Sequence, residues 1–186
     1  MTSSSEVSLV GAIVNCLRDN GSWTGETHIQ KTSYILKAVD QVPLDSDFIL
    51  YKHGPFSFDL NSVIYQMRAQ NILRMAPQGN YGSTFETIEP LWAAVDRASG
   101  FISRRYIERI QFVCERLARK KVTELEKIAT AIYVFINFDL DSELDRAKKL
   151  VELKPHIQLG EAVVAVEQSK VFTDRIRPSV AEGVPA

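Results

Sequence analysis

Apolar positions along this chain recur mostly at helical spacing. Leu9, Val10, Ile13, Val14 and Leu17 form one stripe, closed by Asn20-Gly21. Residues 1–8, opening with Met-Thr-Ser-Ser-Ser, lack periodicity and predict a frayed N-terminus. Thr27-x-x-Gln30 has capping-box spacing and predicts a second helix that turns Ile35, Leu36 and Val39 inward before Pro43. Phe48 to Tyr51 is too short for a helix and rich in strand formers. His53-Gly54-Pro55-Phe56 then predicts a turn, and Ser57 is placed to cap a third helix that buries Leu60, Val63, Ile64 and Met67. Residues 72–75 and 84–88 alternate apolar and polar around Pro77, Gly79, Asn80 and Gly82, which predicts a hairpin with a loose tip.

Two helices, a strand, a helix and a hairpin are the order of a winged helix-turn-helix, expected over residues 9–88. Residues 89–176 read as helical. Pro90 suits the start of a short helix from Leu91 to Ala98, closed by Gly100, and a long helix is expected from Ser103 to Lys121. Thr123-x-x-Glu126 predicts another capping box, opening a helix apolar on nearly every face through Ile128, Ile132, Phe135 and Ile136. That helix is expected at the centre of the core. Ser142-x-x-Asp145 caps the next, which ends at Pro155, and a last helix is expected from Gly160 to Phe172. Residues 177–186 predict a flexible tail. The expected fold is one mainly α domain with minor β: winged-helix-like in its N-terminal half, helical in its C-terminal half.

Composition narrows the function classes. The 186 residues carry 22 Lys+Arg against 23 Asp+Glu, a net charge of −1, with 45% hydrophobic residues, so global disorder is excluded. No apolar run reaches a membrane span, and the start lacks a basic or apolar leader, so a cytoplasmic protein with no membrane partner is expected. Cys16 and Cys114 are too few for a disulfide framework and lie on apolar helix stripes, which predicts reduced core thiols. His28, His53 and His156 lack metal-site spacing, Gly-x-Ser-x-Gly is absent, and no Gly-rich phosphate loop occurs. The expectation is therefore no catalytic residues, no metal and no cofactor.

Charge is unevenly spread. Residues 103–121 carry seven cations against Glu108 and Glu115, a segment charge of +5, leaving −6 for the rest. Arg105, Arg109, Arg116, Arg119 and Lys120 make a candidate face for a nucleic acid or an acidic partner. The alternative is a solvated helix face with Glu115–Arg119 pairing.

Four segments together are distinctive: Thr27-His-Ile-Gln-Lys-Thr-Ser-Tyr-Ile-Leu36, Tyr51-Lys-His-Gly-Pro-Phe-Ser57 and, further on, Leu125-Glu-Lys-Ile-Ala-Thr-Ala-Ile-Tyr133 and Ala147 to Pro155. Over roughly residues 9–172 the chain resembles the YwgA-like proteins, related to the Panacea-domain, or SocA-like, antitoxins. The resemblance implies a prokaryotic or phage-borne helical protein with a winged-helix-like part. It also implies a transcriptional regulator or a toxin-neutralising antitoxin.

Two further candidate surfaces follow. Gln30, Lys31, Tyr34, Tyr51, Lys52, His53 and Phe56 are expected to form one polar-aromatic partner surface, where Lys31 and Lys52 hold a phosphate or a carboxylate. Asn61, Ser62, Tyr65, Gln66 and Arg68 are the exposed positions of the presumed recognition helix, able to read base edges but poor in cations. The expected function is a non-enzymatic regulatory binder, with an enzyme whose site is assembled from distant residues as the lesser alternative. Its partner is DNA or a toxin-like protein, and a homodimer would double the charge available for DNA.

Overall fold

Ser3 opens the first helix: its hydroxyl accepts the Glu6 N–H at 3.1 Å, and α1 runs Ser4–Asp19. The structure, a computed structural model, describes residues 2–77 and 83–176. The segment expected to fray is thus helical from residue 4. Its polar side chains have buried partners that hold it: Glu6 accepts the Ser46 N–H at 2.8 Å, and the Ser8 hydroxyl donates to Asp96. The expected hairpin tip at Gly79, Asn80 and Gly82 and the expected tail 177–186 lie outside the described residues.

Helix α2 (Glu26–Ala38) starts after Gly25 without a side-chain cap, so the expected Thr27–Gln30 box does not form. Every residue from His28 to Leu36 is buried, because α2 lies against α1 on one side and later helices on the other. Gln30 therefore faces protein rather than its own helix start.

The segment after α2 corrects the expected single strand. Strand β1 (Ile49–Tyr51) pairs antiparallel with β2 (Gly54–Phe56), in register Ile49↔Phe56, Leu50↔Pro55 and Tyr51↔Gly54. The turn is Lys52-His53, and the expected Gly-Pro turn is the start of β2. Gly54 sits at φ +82, and a Cβ there would lie 2.8 Å from Thr130 Oγ1, so both the backbone and the close approach require glycine. Helix α3 (Phe58–Ala69) is capped as expected: the Ser57 hydroxyl accepts the Leu60 N–H at 3.0 Å. Leu60, Val63, Ile64 and Met67 are buried, each worth about 1.5–3 kcal/mol of transfer free energy.

Strands β3 (Leu73–Pro77) and β4 (Ser83–Thr87) form the expected hairpin after α3. They make a sheet separate from β1–β2, whereas the strand between the helices of a winged helix joins the wing.

Helix α4 (Leu91–Ala98) follows as expected. The long helix expected over 103–121 is broken into α5 (Ile102–Arg105) and α6 (Ile107–Leu117) at Tyr106. Ser103 donates to Asp96 Oδ1 at 2.7 Å, which ties α5 to the end of α4 rather than to the axis of α6. Helix α7 (Val122–Asn137) begins earlier than expected. Its Glu124 carboxylate accepts the Lys121 N–H at 2.9 Å, which leaves Glu126 free to point into the protein. Helices α8 (Glu143–Leu153), capped by Ser142, and α9 (Leu159–Thr173) complete the chain.

The fold is mainly α with small antiparallel hairpins, as expected. Its principal core runs from Val7 to Phe172, so the expected halves 9–88 and 89–176 share one interior. A second apolar cluster joins Ala131 and Val134 of α7 to Ala147, Leu150, Ile157, Ala162, Ala165 and Val166. Helix α7 packs on α2, α8, α9 and β2, which places it centrally as expected. Among the described residues no helix is long and apolar enough to cross a membrane.

Candidate functional site

The β1–β2 hairpin is seated on α2 and α7 by polar side chains acting on its backbone. The Gln30 amide donates to Ser57 O at 2.9 Å and accepts the Ser57 N–H at 3.0 Å, completing the strand's exit as a neighbouring strand would. Lys31 Nζ donates to Pro55 O at 2.8 Å. Lys154, just past α8, donates to Lys52 O at 2.7 Å and to Tyr51 O. The two ammonium groups thus hold three backbone carbonyls of the hairpin.

Beneath the turn lies Glu126, its side chain only 8% exposed. One oxygen is 3.1 Å from His156 Nε2 and the other 3.4 Å from His53 Nδ1, so the carboxylate bridges two imidazoles from opposite ends of the chain. Burial pushes the Lys31 ammonium down to about 8, with the nearby Glu126 charge opposing that shift and Lys154 adding to it. Burial also lowers Lys154, again against the pull of Glu126. Lys31 is therefore a structural cation, and the expectation that it holds a phosphate or carboxylate is corrected: it is 2% exposed and already bonded to Pro55.

A cleft of about 270 Å³ opens beside this seat, lined by Gln30, Lys31, Tyr51, His53 and Phe56 together with Glu26 and Thr27. Five of the seven expected partner-surface residues thus converge. Tyr34 does not join them: it is buried edge-on against Phe48, and burial pushes its phenol well above the usual range. Lys52 sits on the exposed turn and meets the site through its carbonyl alone.

The cleft borders an aromatic triad. Tyr51, Phe56 and Phe58 have centroids 5.1–5.9 Å apart in tilted and edge-to-face pairs. Tyr51 is 47% and Phe58 55% exposed, and Ile49 and Tyr65 are also exposed. These residues belong to β1, the hairpin exit and one side of α3, so an apolar patch faces outward there.

The expected recognition positions Ser62, Tyr65 and Gln66 are exposed on α3, whereas Asn61 and Arg68 are half-buried. The cations around them are engaged. Arg68 lies over the Tyr65 ring, and Arg74 and Arg18 both pair with Glu86. The expected basic face is likewise tied down and is split by the break at Tyr106. Arg109 donates to Asp40 O at 2.7 Å, Arg116 stacks 3.6 Å over Phe112, Arg119 reaches Asn20 O, and Lys120 pairs with Glu124. Arg105 is exposed on α5.

Sequence reasoning missed Glu126, Lys154, His156 and Phe58. Glu126 was expected as a helix cap, Lys154 and His156 lie far from the hairpin in sequence, and Phe58 reads as one more apolar helix residue. Among the described residues no group of three His, Cys, Asp or Glu side chains is arranged to hold a metal ion. What the arrangement provides is an aromatic rim and a polar cleft, with buried lysines bonded to the backbone behind them. Set against known proteins, the chain matches no family model, no curated protein and no solved structure.

Proposed function

We propose that this is a non-enzymatic binding protein whose target is another protein, held by the aromatic face of Tyr51, Phe56 and Phe58 and the adjoining cleft. The observation that carries this reading is the exposure of Tyr51 and Phe58, packed on the half-buried Phe56, beside cations already engaged within the fold. Aromatic residues are enriched at protein interfaces because they supply large rigid contact area, and the backbone behind these is already fixed. DNA binding draws its affinity from cations placed near phosphates, and those around α3 are paired or stacked. Of the two roles that the family resemblance implies, toxin neutralisation has this class of partner.

Captured from native-host lysate after nuclease treatment, the tagged chain is expected to retain one protein in stoichiometric amount. Phe58→Ala should abolish that retention while circular dichroism stays unchanged and Tm falls only slightly, since Phe58 is more than half exposed and loses only its ring contacts to Tyr51 and Phe56. Sedimentation of the pure chain separates a foreign partner from a second copy of itself. Retention that survives Phe58→Ala, or a complex that disappears with nuclease, refutes the reading in favour of DNA or another surface.

A further inference from the structure

A cleft of about 460 Å³ lies between α1, α4, α5 and α6 and shares no residue with the partner surface. Its floor is one face of α1, where Ala12, Asn15, Cys16 and Asp19 recur at i, i+3, i+4 and i+7. Trp92 of α4 is set against that helix: a Cβ on Gly11 would overlap the indole, and the indole N–H donates to Ser8 O at 3.2 Å. Phe101 and Ile107, each more than a third exposed, add apolar surface to the lining. Asp96 also lines the cleft, but its Oδ1 accepts the hydroxyls of Ser8 and Ser103, so its charge is committed to the fold.

Two arginines of the lining are not committed. Arg97 is in the last turn of α4 and Arg104 is on α5. Among the described residues neither makes an ion pair or a side-chain hydrogen bond. Arg104 lies 4.2 Å over the Phe101 ring, a contact that leaves its N–H donors unspent. Arg18, Arg74, Arg109 and Arg175, by contrast, hold carboxylates or a carbonyl. The charges are also separated along the cleft. Arg97 and Arg104 directly follow Asp96 and Ser103, which are bonded to each other and, through Asp96, to Ser8. Asp19 stands eleven residues beyond Ser8, about 16 Å along the α1 axis.

We propose that this cleft binds an amphipathic organic anion, with an aromatic body against Trp92, Phe101 and Ile107 and a carboxylate head on Arg97 and Arg104. The volume falls within the roughly 300–1,000 Å³ of small-molecule sites, whose usual character is an apolar lining with a few polar groups. A guanidinium offers a carboxylate paired N–H···O bonds, and apolar surface beside them keeps water away from one side. Asp19 repels the head from the far end of the floor, which favours one orientation. The site uses none of the residues of the protein-binding reading and stands or falls apart from it.

Naphthaleneacetate is titrated into the isotope-labelled full chain, with neutral naphthaleneacetamide as the matched control, and both are followed by NMR. The expected result is saturable shifts at the Trp92 indole N–H and the Ala93, Phe101 and Ile107 amides, with the acid binding about tenfold tighter than the amide. Added NaCl should weaken the acid and leave the amide unchanged. Arg97→Ala/Arg104→Ala should bring the acid down to the amide's affinity, with little change in Tm because both side chains are exposed. Equal binding of acid and amide, shifts gathered at residues 49–58 instead, or no saturation at millimolar acid would each overturn the proposal. The acid–amide comparison is made in the wild-type chain, so it decides even where the double variant does not fold.

Discussion

Lys31 offers the sharpest test of how the hairpin is seated. Its ammonium is buried against Pro55 O, and that burial holds its pKa at about 8 instead of the ordinary 10.5. The gap corresponds to about 3 kcal/mol by which the charged form is disfavoured in the folded state relative to the unfolded chain. The sign follows from proton counting. Between about pH 8 and 10.5 the unfolded chain keeps the Lys31 proton while the folded one has released it, so stability from this group rises with pH. The burden stands near 3 kcal/mol at pH 7, about 2 at pH 9 and about 1 at pH 10. Lys31→Met removes the titration while keeping most of the volume, although it leaves Pro55 O without its donor at every pH. Urea unfolding of both proteins at pH 7, 8, 9 and 10 should therefore show the wild type gaining about 2.5 kcal/mol relative to the variant across that range. The difference cancels Lys154, Glu26 and Glu126, which face the site in both proteins. Parallel stability profiles would refute the claim that a charged Lys31 is buried in the hairpin seat.

Two substitutions test the same seat through its backbone. Gly54→Ala combines a left-handed φ with a Cβ 2.8 Å from Thr130 Oγ1, and should cost about 2–4 kcal/mol in chemical denaturation. Thr130→Ala added to it should restore only the steric part, about 1 kcal/mol, because the backbone strain remains. Gln30→Leu leaves the buried Ser57 N–H without a partner, while Ser57 O keeps the Asn61 N–H at 3.2 Å, and should cost about 1–3 kcal/mol. Hydrogen exchange should show the extra opening concentrated at residues 49–57 in both cases.

Much of the architecture was legible one element at a time. The stripe from Leu9 to Leu17, the Ser57 and Ser142 caps, the buried face of α3 and the β3–β4 pairing all came out as expected. Each depends on residues within a few positions of one another. Boundaries failed where a polar residue had two local roles open to it. Thr27-x-x-Gln30 and Thr123-x-x-Glu126 both have capping spacing, yet Gln30 bonds Ser57 and Glu126 bonds two histidines. The +5 segment was correctly counted, but the fold breaks it at Tyr106 and gives its arginines backbone and aromatic partners.

The candidate site divides along the same line. Gln30, Lys31, Tyr51, His53 and Phe56 could be grouped from sequence because they flank one strand and one helix. Their roles could not, since a polar residue interrupts an apolar pattern in the same way whether it meets water or a buried carbonyl. By itself the sequence determined the helical class, the hairpin after α3 and the side of each amphipathic helix that turns inward, because hydrophobic periodicity is a local property. Only the tertiary structure decided that Lys154 closes on a strand 103 residues earlier and that Glu126 lies between two distant histidines. Those contacts arise from how helices stack, and burial then compels each polar group to find whichever partner the stacking has brought near.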